Sequence, residues 1–121
     1  MFCINVVEYA AREAMNASSQ ALPRDVDEFA HTGVTPAECE TIDCVRVADA
    51  PAVLECKLTR IVDLPGPSNQ MVLGQVTGIH LRDNCLIDGR FDVTTYQPLA
   101  RLGYRDFTHA RDLFEMIRPD D

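Results

Sequence analysis

Between Ala52 and Leu81 the chain carries its most restrictive pattern: two extended apolar runs around a single break. Leu54, Cys56 and Leu58 alternate with Glu55, Lys57 and Thr59, the period of a strand with one buried and one wet face. Pro65-Gly66-Pro67-Ser68-Asn69 then stops the strand, and a second run continues from Met71 to Leu81. Two such runs joined by a short turn predict a long antiparallel hairpin, which commits the chain to a mainly β fold.

The flanking segments are shorter. Phe2 to Val7 is β-branched or apolar apart from Asn5 and reads as a strand that begins abruptly. Val7, Ala10, Ala11, Ala14 and Met15 recur at helical spacing and predict an amphipathic helix ending near Asn16. A small-residue loop from Ala17 to Pro23 follows. Asp25-Val26-Asp27-Glu28 has the form of a capping box for a short helix that ends at Gly33. Thr35-Pro36-Ala37-Glu38 repeats the helix-start signal, with proline in the first position. Leu86-Ile87 reads as a short strand between the turns Asp83-Asn84 and Asp88-Gly89, and Leu113, Phe114, Met116 and Ile117 are expected as apolar anchors.

The 121 residues suit one domain, taken as 1–121, and 46% hydrophobic with 25% charged residues supply a packed core. A net charge of −8 repels phosphate backbones and anionic lipid surfaces, so neither nucleic acid nor a membrane is expected as a partner. It does not exclude a cofactor whose phosphate is held by local donors. The first ten residues lack a basic leader and a cleavage site. Five cysteines without a C-x-x-C pair read as a reduced, cytoplasmic chain with no metal site, although Cys39 and Cys44 could in principle bridge or bind a metal.

Within the second run Val72, Gly74, Val76, Gly78 and His80 share one face, because side chains alternate with a period of two. Two glycines on one face either permit a barrel strand to bend or let a flat ligand approach the backbone. His80, at the far end, is placed to donate to a carbonyl oxygen or ring nitrogen of such a ligand, or is merely structural. Ser18 and Ser19 are possible donors, and Arg24, Arg101 and Arg105 possible anion partners. No nucleophile elbow, phosphate-binding loop, dinucleotide glycine motif or H-E-x-x-H pair is present, so no catalytic side chain is assigned.

Taken in order, these segments resemble the flavin reductase-like family with its FMN-binding split β-barrel. The likeness is carried by Phe2-Cys3-Ile4-Asn5-Val6-Val7, Glu13 to Ser19, Asp25 to Phe29, Gly33 to Pro36, Pro51 to Cys56, Val72 to His80 and Pro98 to Gly103. It implies a six-stranded split barrel, FMN near the interface of a homodimer, and NAD(P)H as electron donor. Strands that precede the Phe2 segment in the family have no counterpart here, so an N-terminally truncated barrel is expected. By the same resemblance His80, Gly78 and Gly74 border the flavin, as do Ser18 and Ser19 of the small-residue loop. The family's second glycine after Arg101-Leu102-Gly103 is replaced by Tyr104. The implied function is an NAD(P)H-dependent FMN oxidoreductase. The alternatives are a non-catalytic flavin-binding or electron-carrier module, and a barrel fragment that only self-associates.

Overall fold

The expected hairpin is the spine of the molecule. In the structure, a computed structural model describing residues 1–121, β1 spans Phe2–Asn5 and is followed by a 3-10 turn at Tyr9–Ala11 and by the helices α1 (Arg12–Ser18) and α2 (Glu28–Thr32). A ribbon of β2 (Pro36–Glu38) and β3 (Val45–Val47) comes next, then β4 (Ala52–Asp63) and β5 (Gln70–Leu81). Two further ribbons, β6 (Leu86–Ile87) with β7 (Arg90–Phe91) and β8 (Leu99–Arg101) with β9 (Phe107–His109), complete the chain. The main sheet is antiparallel in the order β1-β4-β5. The fold is mainly β with short helices, as the sequence implies.

Local chemistry accounts for the differences from expectation. The first helix starts at Arg12, because Val7 accepts a backbone bond from Leu99 and Glu8 bridges to Pro98, which keeps that stretch extended. The cap of α2 is Asp27, whose carboxylate accepts from the Phe29 N–H at 3.0 Å, two residues later than the proposed box; Gly33 closes the helix at φ 75°. Pro36-Ala37-Glu38 does not begin a helix. It pairs with Val45–Val47, and proline is tolerated as the first residue of an edge strand, where it owes the ladder no N–H.

The expected alternation along β4 is also corrected. From Ala52 to Cys56 both faces are covered and Glu55 is fully buried, whereas Leu58 is 48% exposed. One face of this stretch lies beneath the loop that joins β2 to β3, whose Glu40 and Thr41 N–H groups reach Glu55, and Asn5 of β1 accepts from the Val47 N–H of β3 at 3.0 Å. Only eight residues are buried, among them Val53, Glu55, Cys56 and Cys85, so the core sits where β1, β4 and the ribbon meet. The tail is not an anchor: Phe114 and Met116 are about 84–85% exposed.

Candidate functional site

Two bulges in the hairpin decide which side chains meet. Glu55 pairs with Gly78 but Cys56 with Val76, leaving Thr77 as an extra residue on β5. Leu58 pairs with Gly74 and Arg60 with Leu73, leaving Thr59 extra on β4. An extra residue shifts the period of two, so side chains on either side of Thr77 emerge on opposite faces. The continuous strip from Val72 to His80 is therefore not formed. Gly78 and His80 lie on the face of Val53, Glu55 and Cys3, while Val72, Gly74 and Val76 lie on the face of Cys56 and Phe2.

Neither glycine leaves bare backbone on its Cβ side. A Cβ on Gly74 would stand 2.6 Å from the Phe2 ring, and one on Gly78 would stand 3.3 Å from both the Glu55 carboxylate and Thr41. Gly74 makes room for an aromatic ring of the chain itself, and Gly78 for a buried carboxylate.

That carboxylate is the centre of the site. Glu55 Oε1 accepts from the Thr41 N–H at 2.7 Å and the Thr41 hydroxyl at 2.6 Å. Its Oε2 accepts from the Glu40 N–H at 2.9 Å and from His80 Nε2. Four donors converge on a side chain with no exposed surface, the condition under which a buried charge is tolerated. The Thr41 hydroxyl, helped by His80 and the two backbone N–H groups, holds the carboxyl well below the usual range against the opposing effect of burial.

An ionised carboxylate only accepts, so His80 donates a hydrogen bond from its Nε2–H to Glu55. Nδ1 has no hydrogen-bond partner within the chain, and the His80 side chain keeps 20% of its surface. The sequence expectation has His80 donating to a ligand; the structure shows its Nε2 engaged by Glu55, which leaves Nδ1 as the ring nitrogen without a partner in the chain. Glu55 itself is missed by sequence reasoning because the alternation places it on the wet face. The two bulges sit on opposite strands and cancel, so counting outward from the Pro65–Asn69 turn is the signal that pairs Glu55 with Gly78.

The other candidates lie apart from this pair. Ser18 and Ser19 end α1 and donate back to the Met15 and Asn16 carbonyls, each at 2.6 Å. Ser18 also lines a cleft of about 480 Å³ with Val7, Met15, Phe29, Thr35 and Asp49, which His80 does not reach. Arg101 and Arg105 line a second cleft with Arg12 and His109; Arg101 donates to the Tyr104 carbonyl at 2.8 Å and lies over the Phe107 ring. Arg24 has no hydrogen bond to its side chain and lines neither cleft.

The sequence profile of the flavin reductase like domain matches residues 1–98. The chain belongs to this family. An uncharacterised protein of Deinococcus radiodurans is 32% identical over 97% of the chain and 52% of its own length, and one of Halalkalibacterium halodurans is 27% identical over 98% and 58%. The chain thus spans about half the length of the curated relatives it matches. Among solved structures, the 2-nitrobenzoate 2-nitroreductase of Pseudomonas fluorescens superposes with a TM-score of 0.84 at 28% identity, covering 98% of this chain and 59% of that one. Nitrilotriacetate monooxygenase component B of Bacillus cereus superposes at 0.85 and 24%, covering 94% and 58%, and shares the fold. With the family comes its split-barrel fold.

Proposed function

We propose that this chain forms the flavin-contacting part of an FMN-dependent oxidoreductase that takes electrons from NAD(P)H and works as a cytoplasmic homodimer. The observation that carries the reading is the Glu55–His80 pair: a buried anion fixes the imidazole and leaves one ring nitrogen free at the surface. A bound flavin supplies the two-electron chemistry, which agrees with the lack of a nucleophile–base pair among this chain's side chains. His80 Nδ1 offers an acceptor to a ring N–H, and Glu55 holds the imidazole in one tautomer and orientation. Ser18, on the rim of the α1–α2 cleft, is a second proposed cofactor contact, with Ser19 beside it. Gly78 and Gly74 serve the site indirectly, by admitting Glu55 and Phe2. Five free thiols suit a reducing compartment.

The test is titration of the purified protein with FMN, followed by the visible spectrum and by NADH and NADPH oxidation. Retained flavin with turnover supports the proposal. Retained flavin without turnover reduces it to a flavin-binding or electron-carrier module. No retained flavin at any accessible concentration overturns the cofactor assignment for this chain.

A further inference from the structure

On the same face as Glu55, one position across β1, lies a cysteine that the flavin reading does not use. Cys3 pairs with Glu55 in the sheet register. Its Sγ lies 3.1 Å from that of Cys39, which follows β2 directly. The two residues are 36 apart in sequence, so only the docking of the β2–β3 ribbon on β1 brings them together. Both are half-buried free thiols. Cys44, which the sequence leaves as a possible partner for Cys39, meets it through the backbone: the Cys39 N–H donates to the Cys44 carbonyl at 3.2 Å, and the Cys44 sulfur has no hydrogen-bond partner.

We propose that Cys3 and Cys39 form a dithiol site that is oxidised by hydroperoxides to an intramolecular disulfide. In the first step the Cys3 sulfur attacks the terminal oxygen of the hydroperoxide. The O–O bond breaks, Cys3 becomes a sulfenic acid, and the remaining oxygen leaves with the thiol proton as an alcohol, or as water when the oxidant is hydrogen peroxide. In the second step the Cys39 sulfur attacks the Cys3 sulfur. The S–O bond breaks, the S–S bond forms, and the hydroxyl leaves with the Cys39 proton as water. Two electrons pass from the two sulfurs to the peroxide, and two thiol protons end in the leaving groups.

The order of events follows from the environment of Cys39. Burial first, then the hydrogen bond with Cys3 and the nearby Glu55 carboxylate, push its thiol up to about 12, so it keeps its proton at neutral pH. Cys3 is therefore the sulfur that meets the oxidant. The cross-link ties β1 to the ribbon whose outgoing loop delivers the Glu40 and Thr41 N–H groups to Glu55.

The reduced, desalted protein is treated with hydrogen peroxide, alkylated and mapped by mass spectrometry. The expected product has lost two hydrogen masses and joins the peptide containing Cys3 to that containing Cys39. Its yield falls at least tenfold in Cys3→Ser and Cys39→Ser and is unchanged in Cys44→Ser. The oxidised wild type melts several degrees higher, since the link closes a long loop of the unfolded chain. A Cys39–Cys44 link, or stepwise oxygen addition to Cys3 without cross-linking, overturns the proposal. Peptide mapping of the wild type alone distinguishes these products, whether or not each serine variant folds.

Discussion

Glu55→Gln replaces one accepting oxygen by an NH2 group in a place where four donors already converge. Either orientation of the amide sets a donor against a donor, so the melting temperature is expected to fall by roughly 10 °C or more. The pH dependence has a definite sign. The folded carboxyl lies below its ordinary value of 4.5, so between the two values the unfolded chain binds the proton and the folded chain does not. The contribution of Glu55 is fully present above about pH 5 and is lost as the pH falls through its folded value. Urea unfolding from pH 7 to pH 3 is expected to show a slope shallower in Glu55→Gln, by up to one proton. An equal slope in both proteins contradicts the buried anion. His80→Ala leaves three of the four donors and is expected to keep the fold while weakening FMN binding several-fold, as loss of one hydrogen bond of about 0.5–1.5 kcal/mol implies. Unchanged affinity in a folded variant removes His80 from the cofactor site. Tyr104 stands at φ 56° with 93% of its surface exposed, so its side chain brings strain without compensating burial. Tyr104→Gly is expected to stabilise by about 0.5–1 kcal/mol, read as a raised urea midpoint.

At the scale of elements, the hairpin and the short strand at Leu86–Ile87 are legible in the sequence because proline, glycine and asparagine mark their turns, and β-branched and aliphatic residues fill the longer strands. The site is legible only in part. His80 stands out as a histidine in an apolar strand, but its partner depends on a register that two bulges alter and then restore. Bulges leave no mark in the apolar pattern, so the strip from Val72 to His80 reads as continuous. The Pro36 segment misleads for a related reason. Its proline satisfies a helix start and an edge strand equally well, and only the pairing with Val45–Val47 chooses. Valine in place of each glycine tests the two faces separately. Gly78→Val pushes γ-carbons into Glu55 and Thr41 and is expected to cost about 2–3 kcal/mol, because the carboxylate cannot move without losing donors. Gly74→Val meets the end of the Phe2 ring, which can swing toward solvent, and is expected to cost about 1–2 kcal/mol. A larger loss at Gly74 than at Gly78, measured by chemical denaturation, contradicts this ordering.

At the scale of the whole molecule, the half of the hairpin beyond Cys56 leaves its apolar side chains uncovered. Leu58, Ile61, Val72 and Val76 are all exposed on one face, and Ile79, which faces outward beside Leu54 on that face, is 62% exposed. Contiguous apolar area of this kind is uncommon on proteins that stay monomeric, and the free edge of β5 adds unpaired backbone groups. Both features favour self-association, so size-exclusion chromatography with light scattering is expected to give a dimer or larger species at micromolar concentration. The surface responsible can be separated from the cofactor face, because Ile79 and His80 are neighbours whose side chains point to opposite sides of the sheet. Ile79→Lys places a charge in the apolar area without touching Glu55 or His80. Burial of an isoleucine contributes about 1.5–3 kcal/mol, so this substitution is expected to weaken association at least tenfold while FMN affinity per chain stays within twofold. If Ile79→Lys associates as the wild type does, this apolar face is not the contact. If both association and FMN affinity are lost from a folded chain, the cofactor site is shared between subunits and the separation of the two faces is wrong.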